Sequence, residues 1–376
     1  MKYYIIAGEA SGDLHGANLM KGILAEDPQA EIRFWGGDLM QKAGGTLVKH
    51  YRDLAFMGFA EVVMNLKTIL NNIKICKADI ADFQPDALIF IDYPGFNMRI
   101  AKWAKNLGMK TYYYISPQIW AWKENRIKAI KRDVDKMYVI LPFEKDFYEK
   151  KHHFPVAFVG HPLIDAIHNS PETDALQFRK DNHLDEKPII ALLPGSRKQE
   201  ISKMLSEMLS VIQYFPEYQF VIAGAPSQEF SFYEQFLTND QVHFISNKTY
   251  GLLSVSHAAL VTSGTATLET ALFKVPEVVL YKGNWFSYQI AKRIITLKYI
   301  SLVNLIMDKE VVAELIQEDC NPKKIKTELE KILDPAYRSQ LLAEYEVLET
   351  KLGGEGASNK TAKLIVKDVA SKTKPA

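Results

Sequence analysis

Two short loops in the second half of this 376-residue chain hold residues suited to binding an anion. Pro194-Gly195-Ser196-Arg197 follows the apolar run 189–193 and gathers free backbone N–H groups, a hydroxyl and a guanidinium, a set that suits a diphosphate. Ser263-Gly264-Thr265-Ala266-Thr267 follows the apolar run 259–262 and opens a helical pattern, so the partial positive charge of a helix start can face the same anion. Either loop alone reads as a capped helix start. Two in one domain, one of them with an arginine, read as an anion site. Glu269 lies four residues beyond Thr265 on the same helical face, where its carboxylate could accept both hydroxyls of a ribose. A solvated helix residue would have the same spacing. Together these residues describe a nucleotide diphosphate site.

In the first half the candidate is a base. Asp92 ends the apolar run 87–91 and opens the turn Tyr93-Pro94-Gly95-Phe96-Asn97. A carboxylate at the carboxyl end of a buried strand sits where active sites form and where desolvation raises its pKa, although a turn-capping aspartate would look alike. Glu9, Ser11, Asp13 and His15 belong to the first loop and are expected on the same rim. Asp133-Val134-Asp135 has the form of a metal-binding D-x-D, but it precedes a strand and reads as solvated charge at the wrong end of the sheet. His152-His153 and His161 lack a Cys or His cluster to join, so no metal site is expected. There is no G-x-x-x-x-G-K-[ST], no G-x-S-x-G, and the glycines at 8, 12 and 16 are not spaced as G-x-G-x-x-G. Kinase, hydrolase and nicotinamide-dehydrogenase chemistry are disfavoured, and no cofactor is expected.

The elements that must position these residues begin twice. Strand-like runs at 2–7, 31–36, 87–92, 111–116, 136–141 and 157–159 alternate with helical segments. A second series at 189–193, 219–223, 242–245, 259–262 and 277–281 precedes charged helical segments from about Val311. That alternation predicts an α/β protein of two Rossmann-like doubly wound domains facing a cleft, about 1–165 and 170–336, joined by a linker over 160–172. The length accommodates two cores. Lys and Arg number 46 against 45 Asp and Glu, a balance that gives no reason to expect nucleic acid. Cys76 and Cys320 offer no disulfide framework, which suits a reducing compartment. No apolar stretch reaches transmembrane length, so a cytoplasmic protein with at most peripheral membrane contact is expected.

One amphipathic stretch allows such contact. Phe59, Val62, Val63, Leu66, Ile69, Leu70 and Ile73 define one helical face beside Lys67, Lys74 and Lys77. Core packing explains most such stripes, yet a basic amphipathic helix can also lie on an anionic membrane. Trp120-Ala121-Trp122-Lys123, followed by Arg126, Lys128, Lys131 and Arg132, suits an interface or an anionic headgroup, and a solvated helix face would look similar.

Seven motifs in fixed order then resemble one family over essentially the whole chain. They are Gly8-Glu9-Ala10-Ser11-Gly12-Asp13; Ile91-Asp92 with Pro94 and Phe96-Asn97; Ser116-Pro117 with Trp120-Ala121-Trp122; Leu141-Pro142-Phe143-Glu144; Leu192-Leu193-Pro194-Gly195-Ser196-Arg197; Ser263-Gly264-Thr265-Ala266 with Leu268-Glu269; and Tyr299-Ile300-Ser301-Leu302 with Asn304-Leu305. The chain resembles the lipid-A-disaccharide synthases, glycosyltransferases of lipid A assembly. The resemblance implies a glycosyltransferase B-type fold whose final helix, about 337–376, crosses back onto the first domain. It implies UDP-2,3-diacylglucosamine as donor and 2,3-diacylglucosamine 1-phosphate as acceptor, with a β-1,6-linked disaccharide 1-phosphate and UDP as products. It makes Asp92 the base and Arg197, Glu269 and Asn304 functional polar positions, and it places a membrane-facing helix on the 56–73 stretch at the inner-membrane surface. A UDP-sugar epimerase on the same fold and a non-catalytic nucleotide-sugar binding protein are the alternatives.

Overall fold

The protein, described from a computed structural model that covers residues 1–54, 66–237, 239–283 and 297–373, divides into two compact units. The first comprises Met1–Ala166 and Leu352–Ala376, the second Ile167–Lys351.

The first unit is built on a parallel sheet of seven strands: β1 (Lys2–Ala7), β2 (Glu31–Gly36), β3 (Thr46–His50), β4 (Ala87–Ile91), β5 (Thr111–Tyr114), β6 (Lys136–Val139) and β7 (Ala157–Phe158). Their order is β3-β2-β1-β4-β5-β6-β7. β1 and β4 are the most apolar strands, and both lie at the centre, where a sheet covered on two faces requires continuous apolar runs. Side-chain alternation is clearest in β5. Tyr112 and Tyr114 send their hydroxyls to Asp368 (2.7 Å) and Ser358 (3.2 Å) of the last helix, Ala357–Thr373, and Tyr113 points the other way. That last helix packs against α1 (Ala10–Glu26). Asp165 pins its start by accepting the N–H groups of Gly356 (2.5 Å) and Ser358 (3.2 Å).

The second unit repeats the plan with β8 (Ile189–Leu193), β9 (Gln219–Gly224), β10 (Val242–Ser246), β11 (Ala258–Thr262), β12 (Glu277–Tyr281) and β13 (Ala313–Ile316), in the order β10-β9-β8-β11-β12-β13. All neighbouring pairs are again parallel.

The structure differs from the sequence reading in several places. β3 and β13 were not expected. β3 is a half-buried edge strand after Gly44-Gly45, and β13 has four residues inside a charged stretch, so neither shows an apolar run. β4, β5 and β6 stop short of 92, 116 and 141, because Asp92 (φ 43°) and Ile115 (φ 63°) turn left-handed and Leu141 caps a helix. Part of the expected linker is a helix, Pro162–His168, with most of its length buried in the first unit. Pro335–Lys351 belongs to the second unit, so the chain returns to the first only at Leu352, just before Gly353-Gly354. Asp133 and Asp135 lie at the amino-terminal edge but are not solvated: Asp133 is buried, and Asp135 accepts the Thr111 N–H (3.0 Å) and an ion pair from Lys105.

The contact between α1 and the last helix is close at Gly22, where an added Cβ would lie 2.8 Å from the Ala362 methyl. Gly22→Val should therefore push these helices apart and cost about 1–3 kcal/mol by overpacking. A lower denaturant midpoint would show it, and an unchanged midpoint would mean that the helices do not pack this way.

Candidate active site

In each unit the strand order reverses beside the first strand, between β1 and β4 and again between β8 and β11. At such a switch point the connections leave to opposite faces and open a crevice outside the strands' carboxyl ends. The loops after β1 and β4 carry Glu9 and Asp92. Those after β8 and β11 carry the two anion-binding candidates.

Asp92 and Tyr93 both adopt left-handed backbone, at φ 43° and 47°. For non-glycine residues this costs roughly 1–2 kcal/mol each, and such strain marks functional turns when the surroundings enforce it. Here they do. The Asp92 carbonyl accepts the Tyr113 hydroxyl (2.6 Å) and the Asn97 amide (2.8 Å). Gly8 leaves room for the Tyr93 ring, which any Cβ at that position would strike. Burial, reinforced by the charge of Glu9 and opposed by a bond from the Tyr93 amide, pushes the Asp92 carboxyl up to about 6.

The other rim residues part ways. Glu9 and Ser11 are exposed at the start of α1. Asp13, expected beside them on the acceptor side, is buried, and its carboxylate is occupied by the N–H groups of Gly37 (2.7 Å), Leu39 (3.0 Å) and Met40 (3.0 Å). Its carboxylate thereby satisfies amides at the start of helix α2 (Asp38–Ala43). Burial lowers His15 to about 4, so it is neutral near pH 7, with Nδ1 unpartnered.

The amphipathic stretch is described only in part. Phe59, Val62 and Val63 lie outside the described residues, and Leu66 opens helix α3 (Leu66–Phe83). Within that helix Ile73, Cys76 and Ile80 pack on the core, Ile69 is half-buried, and Leu70 is 54% exposed. Trp120 is tied down, donating to Glu144 (3.2 Å) and meeting Phe143 edge-on. Glu144 also accepts the Ser116 hydroxyl and the Ile140 and Leu141 amides. This buried carboxylate explains why Ser116, Trp120 and Glu144 occur together, which spacing alone did not reveal. Trp122 instead is largely exposed, with the Lys123 ammonium 4.2 Å and the Arg126 guanidinium 5.5 Å from its ring.

In the second unit a pocket of ≈ 510 Å³ is lined by Gly195, Ser196, Arg197, Ser263, Gly264, Thr265 and Glu269. Helices α4 (Lys198–Leu209) and α5 (Thr265–Leu272) start there without side-chain caps, so their first amides are left for a ligand. Gly195 needs its φ of 101°, and a Cβ on it would meet the Glu200 carboxylate. Glu200, missed in the sequence, accepts the Ser196 N–H (3.2 Å). Glu269 faces the pocket with its pKa raised by burial and accepts the hydroxyl of Tyr250 (3.2 Å), which no sequence signal marked.

Asn304 does not reach this pocket. It is fully buried, donating to the Val312 carbonyl (2.9 Å) and Glu314 (2.8 Å) and accepting the Val311 (2.7 Å) and Val312 (3.0 Å) amides. Every polar atom of its amide is engaged within the protein. Glu314 also accepts the Ile300 (2.8 Å) and Ser301 (2.9 Å) amides, and the Ile300 carbonyl accepts the Ser263 hydroxyl (2.9 Å). Asn304 thus supports the loop behind Ser263 from a distance.

The sequence profile of the lipid-A-disaccharide synthetase family matches residues 3–369. The chain belongs to that family. It is 38% identical over 367 residues to the lipid-A-disaccharide synthase of Coxiella burnetii (strain CbuG_Q212), covering 96% of each chain. The enzyme of that name from Geobacter sulfurreducens is 37% identical over 370 residues, again at 96% of each. Among solved structures, UDP-GlcNAc 2-epimerase from Neisseria meningitidis superposes with a TM-score of 0.67 at 13% identity, over 99% of this chain and 100% of the other. The glycotransferase of kitacinnamycin gives 0.65 at 14%, over 97% and 98%. At such identities these two show the fold, that of B-type glycosyltransferases and related epimerases. Membership of the synthetase family rests on the closer sequences.

Within this family member, removing the Asn304 amide takes a hydrogen bond from the Val311 and Val312 amides and from the Val312 carbonyl. Asn304→Ala is expected to cost about 2–4 kcal/mol in unfolding free energy. Faster hydrogen exchange at Val311 and Val312 is the direct check.

Proposed function

We propose that the chain condenses UDP-2,3-diacylglucosamine with 2,3-diacylglucosamine 1-phosphate, giving the β-1,6-linked disaccharide 1-phosphate and UDP. The observation that carries this reading is the meeting of two uncapped helix starts, Arg197 and Glu269 in one pocket at the strand-order reversal. The first three suit a diphosphate and Glu269 suits the ribose hydroxyls.

Asp92 takes the proton of the acceptor's 6-hydroxyl as that oxygen bonds to the donor's anomeric carbon. The bond from that carbon to the UDP oxygen breaks on the opposite face, its electron pair leaves with UDP, and the configuration inverts. Arg197 and the helix starts stabilise the growing charge on the diphosphate. One preorganised donor of this kind contributes about 100- to 1000-fold in rate. The scheme draws its positive charge from the protein and needs no metal ion.

Contact with the cytoplasmic face of the inner membrane belongs to the same proposal. It is supported by the apolar stripe from Phe59 to Leu66, by exposed Leu70, and by Trp122 flanked by its cations. Among the described residues no helix is long and apolar enough to cross a membrane.

The direct assay incubates purified protein with both lipid substrates in detergent and follows UDP and disaccharide by mass. Acceptor-dependent formation of both is expected, and UDP binding without disaccharide would overturn the reading. Asp92→Asn should lower kcat by about 100- to 10,000-fold and leave UDP affinity intact. A base must be ionised to act, so kcat/KM should fall as the pH drops through about 6. For the membrane, Val63→Glu with Leu66→Glu should move folded protein into the soluble fraction, and unchanged association would sink that part.

A further inference from the structure

The strained turn at Asp92 is held by two buried side chains from different elements. Tyr113 lies in β5, fully buried, with Phe90 as its partner in β4. The tyrosines on either side of it turn to the opposite face of the sheet, so Tyr113 is the one of the three whose hydroxyl reaches the Asp92 carbonyl. Asn97, also fully buried, fans its amide across the carbonyls of Ile6 (3.4 Å), Ile91 (3.3 Å) and Asp92 (2.8 Å), tying the end of β1 to the end of β4 where the strand order reverses. Its own Oδ1 has no partner. That unpaired oxygen accompanies an amide nitrogen that bonds the Asp92 carbonyl, which an apolar residue at 97 would leave with one bond fewer.

We infer that Tyr113 and Asn97 are positioning residues for the reaction: by gripping the Asp92 carbonyl they hold two successive left-handed residues and so fix where the Asp92 carboxyl points. The inference rests on the reading of Asp92 as the base. With the carbonyl fixed inward, the side chain is kept at the rim beside Glu9 instead of relaxing into water. The ionisable groups that face Asp92 are Glu9, from the start of α1, and Tyr113 itself.

The test is Tyr113→Phe, which removes one hydroxyl and keeps the ring. Kinetics are measured across pH, with UDP affinity and thermal unfolding as controls, and Asp92→Asn is run in parallel. A small misplacement of a reacting group costs on the order of 100-fold, so a fall in kcat of about 10- to 100-fold is expected. UDP affinity should be unchanged, and the acid limb should move down from about 6 toward the ordinary carboxylate range as the carboxyl gains water. Asn97→Ser should act in the same direction and less than additively with Tyr113→Phe, because both release one carbonyl. It also supplies the same readouts if the first variant does not fold. Parental kcat and acid limb in both variants, alongside an inert Asp92→Asn, would overturn the inference. So would a loss of activity with the acid limb unmoved, which is what a merely structural role predicts. Turnover by Asp92→Asn would instead overturn the base itself.

Discussion

A parallel sheet wound outward in both directions from its first strand must have one place where neighbouring connections leave to opposite faces, and the crevice there is open to solvent at the strands' carboxyl ends. This constraint organises both units. In the first, it brings the β1 loop with Glu9 beside the β4 loop with Asp92. In the second, it brings Pro194–Arg197 beside Ser263–Thr265, although the two loops are nearly seventy residues apart in sequence. The polar residues need no further device to meet. The apolar runs that make β1, β4, β8 and β11 central strands also deliver their loops to the crevice.

Carboxylates wholly or partly withdrawn from water differ here in how their oxygens are used. Asp13, Glu144 and Glu314 each accept three or more hydrogen bonds from amides, hydroxyls or an indole. Such saturation repays the cost of taking a charge from water and leaves nothing with which to bind a substrate. Each of them fixes a loop: Asp13 the start of α2, Glu144 the Ser116 and Trp120 segment, Glu314 the segment behind Ser263. Asp92 and Glu269 are less saturated, and burial raises both. An unsatisfied, partly desolvated carboxylate at a crevice has lone pairs to offer. Saturation sets Asp92 and Glu269 apart from Asp13, Glu144 and Glu314, but place in the fold counts as well: Glu277 is buried with neither oxygen bonded, yet it lies at the amino end of β12, away from the crevice.

That distinction explains what the sequence could reveal. Residue type and place after an apolar run are visible in one dimension, so the central strands, and the position of the two loops and of Asp92 at their carboxyl ends, were legible. Hydrogen-bond partners are not visible. Asp13 and Asn304 occur in conspicuous polar loops and read as site residues, but their partners, Gly37 to Met40 and Val311 to Glu314, lie in segments that carry no pattern. Glu200 and Tyr250 were missed for the converse reason, since each looks like an ordinary helix residue until the fold brings it to Ser196 or Glu269. Edge strands fail for want of contrast. β3 is half-exposed and β13 is four residues long, so neither needs the continuous apolar run that marks a central strand.

The electrostatics of the two crevices are opposed, and glycosyl transfer requires such an opposition. Next to Asp92 the perturbing charge is Glu9, a like charge, which together with burial makes the carboxyl a stronger proton acceptor than an aspartate in water. A cation in that place would hold the proton off but would also weaken the base. The second unit's pocket does the reverse, gathering Arg197 and two helix starts, a setting that suits an anion. In the proposed reaction a proton is withdrawn from the incoming oxygen while negative charge accumulates on the departing diphosphate. Exchanging these environments would fail on both counts, since a cation would blunt the base and a carboxylate pair would repel the leaving group. The placement of Glu200 in the anion pocket is consistent with this only because its carboxylate is engaged with the Ser196 amide at the loop, one of the amides that a diphosphate would otherwise seek.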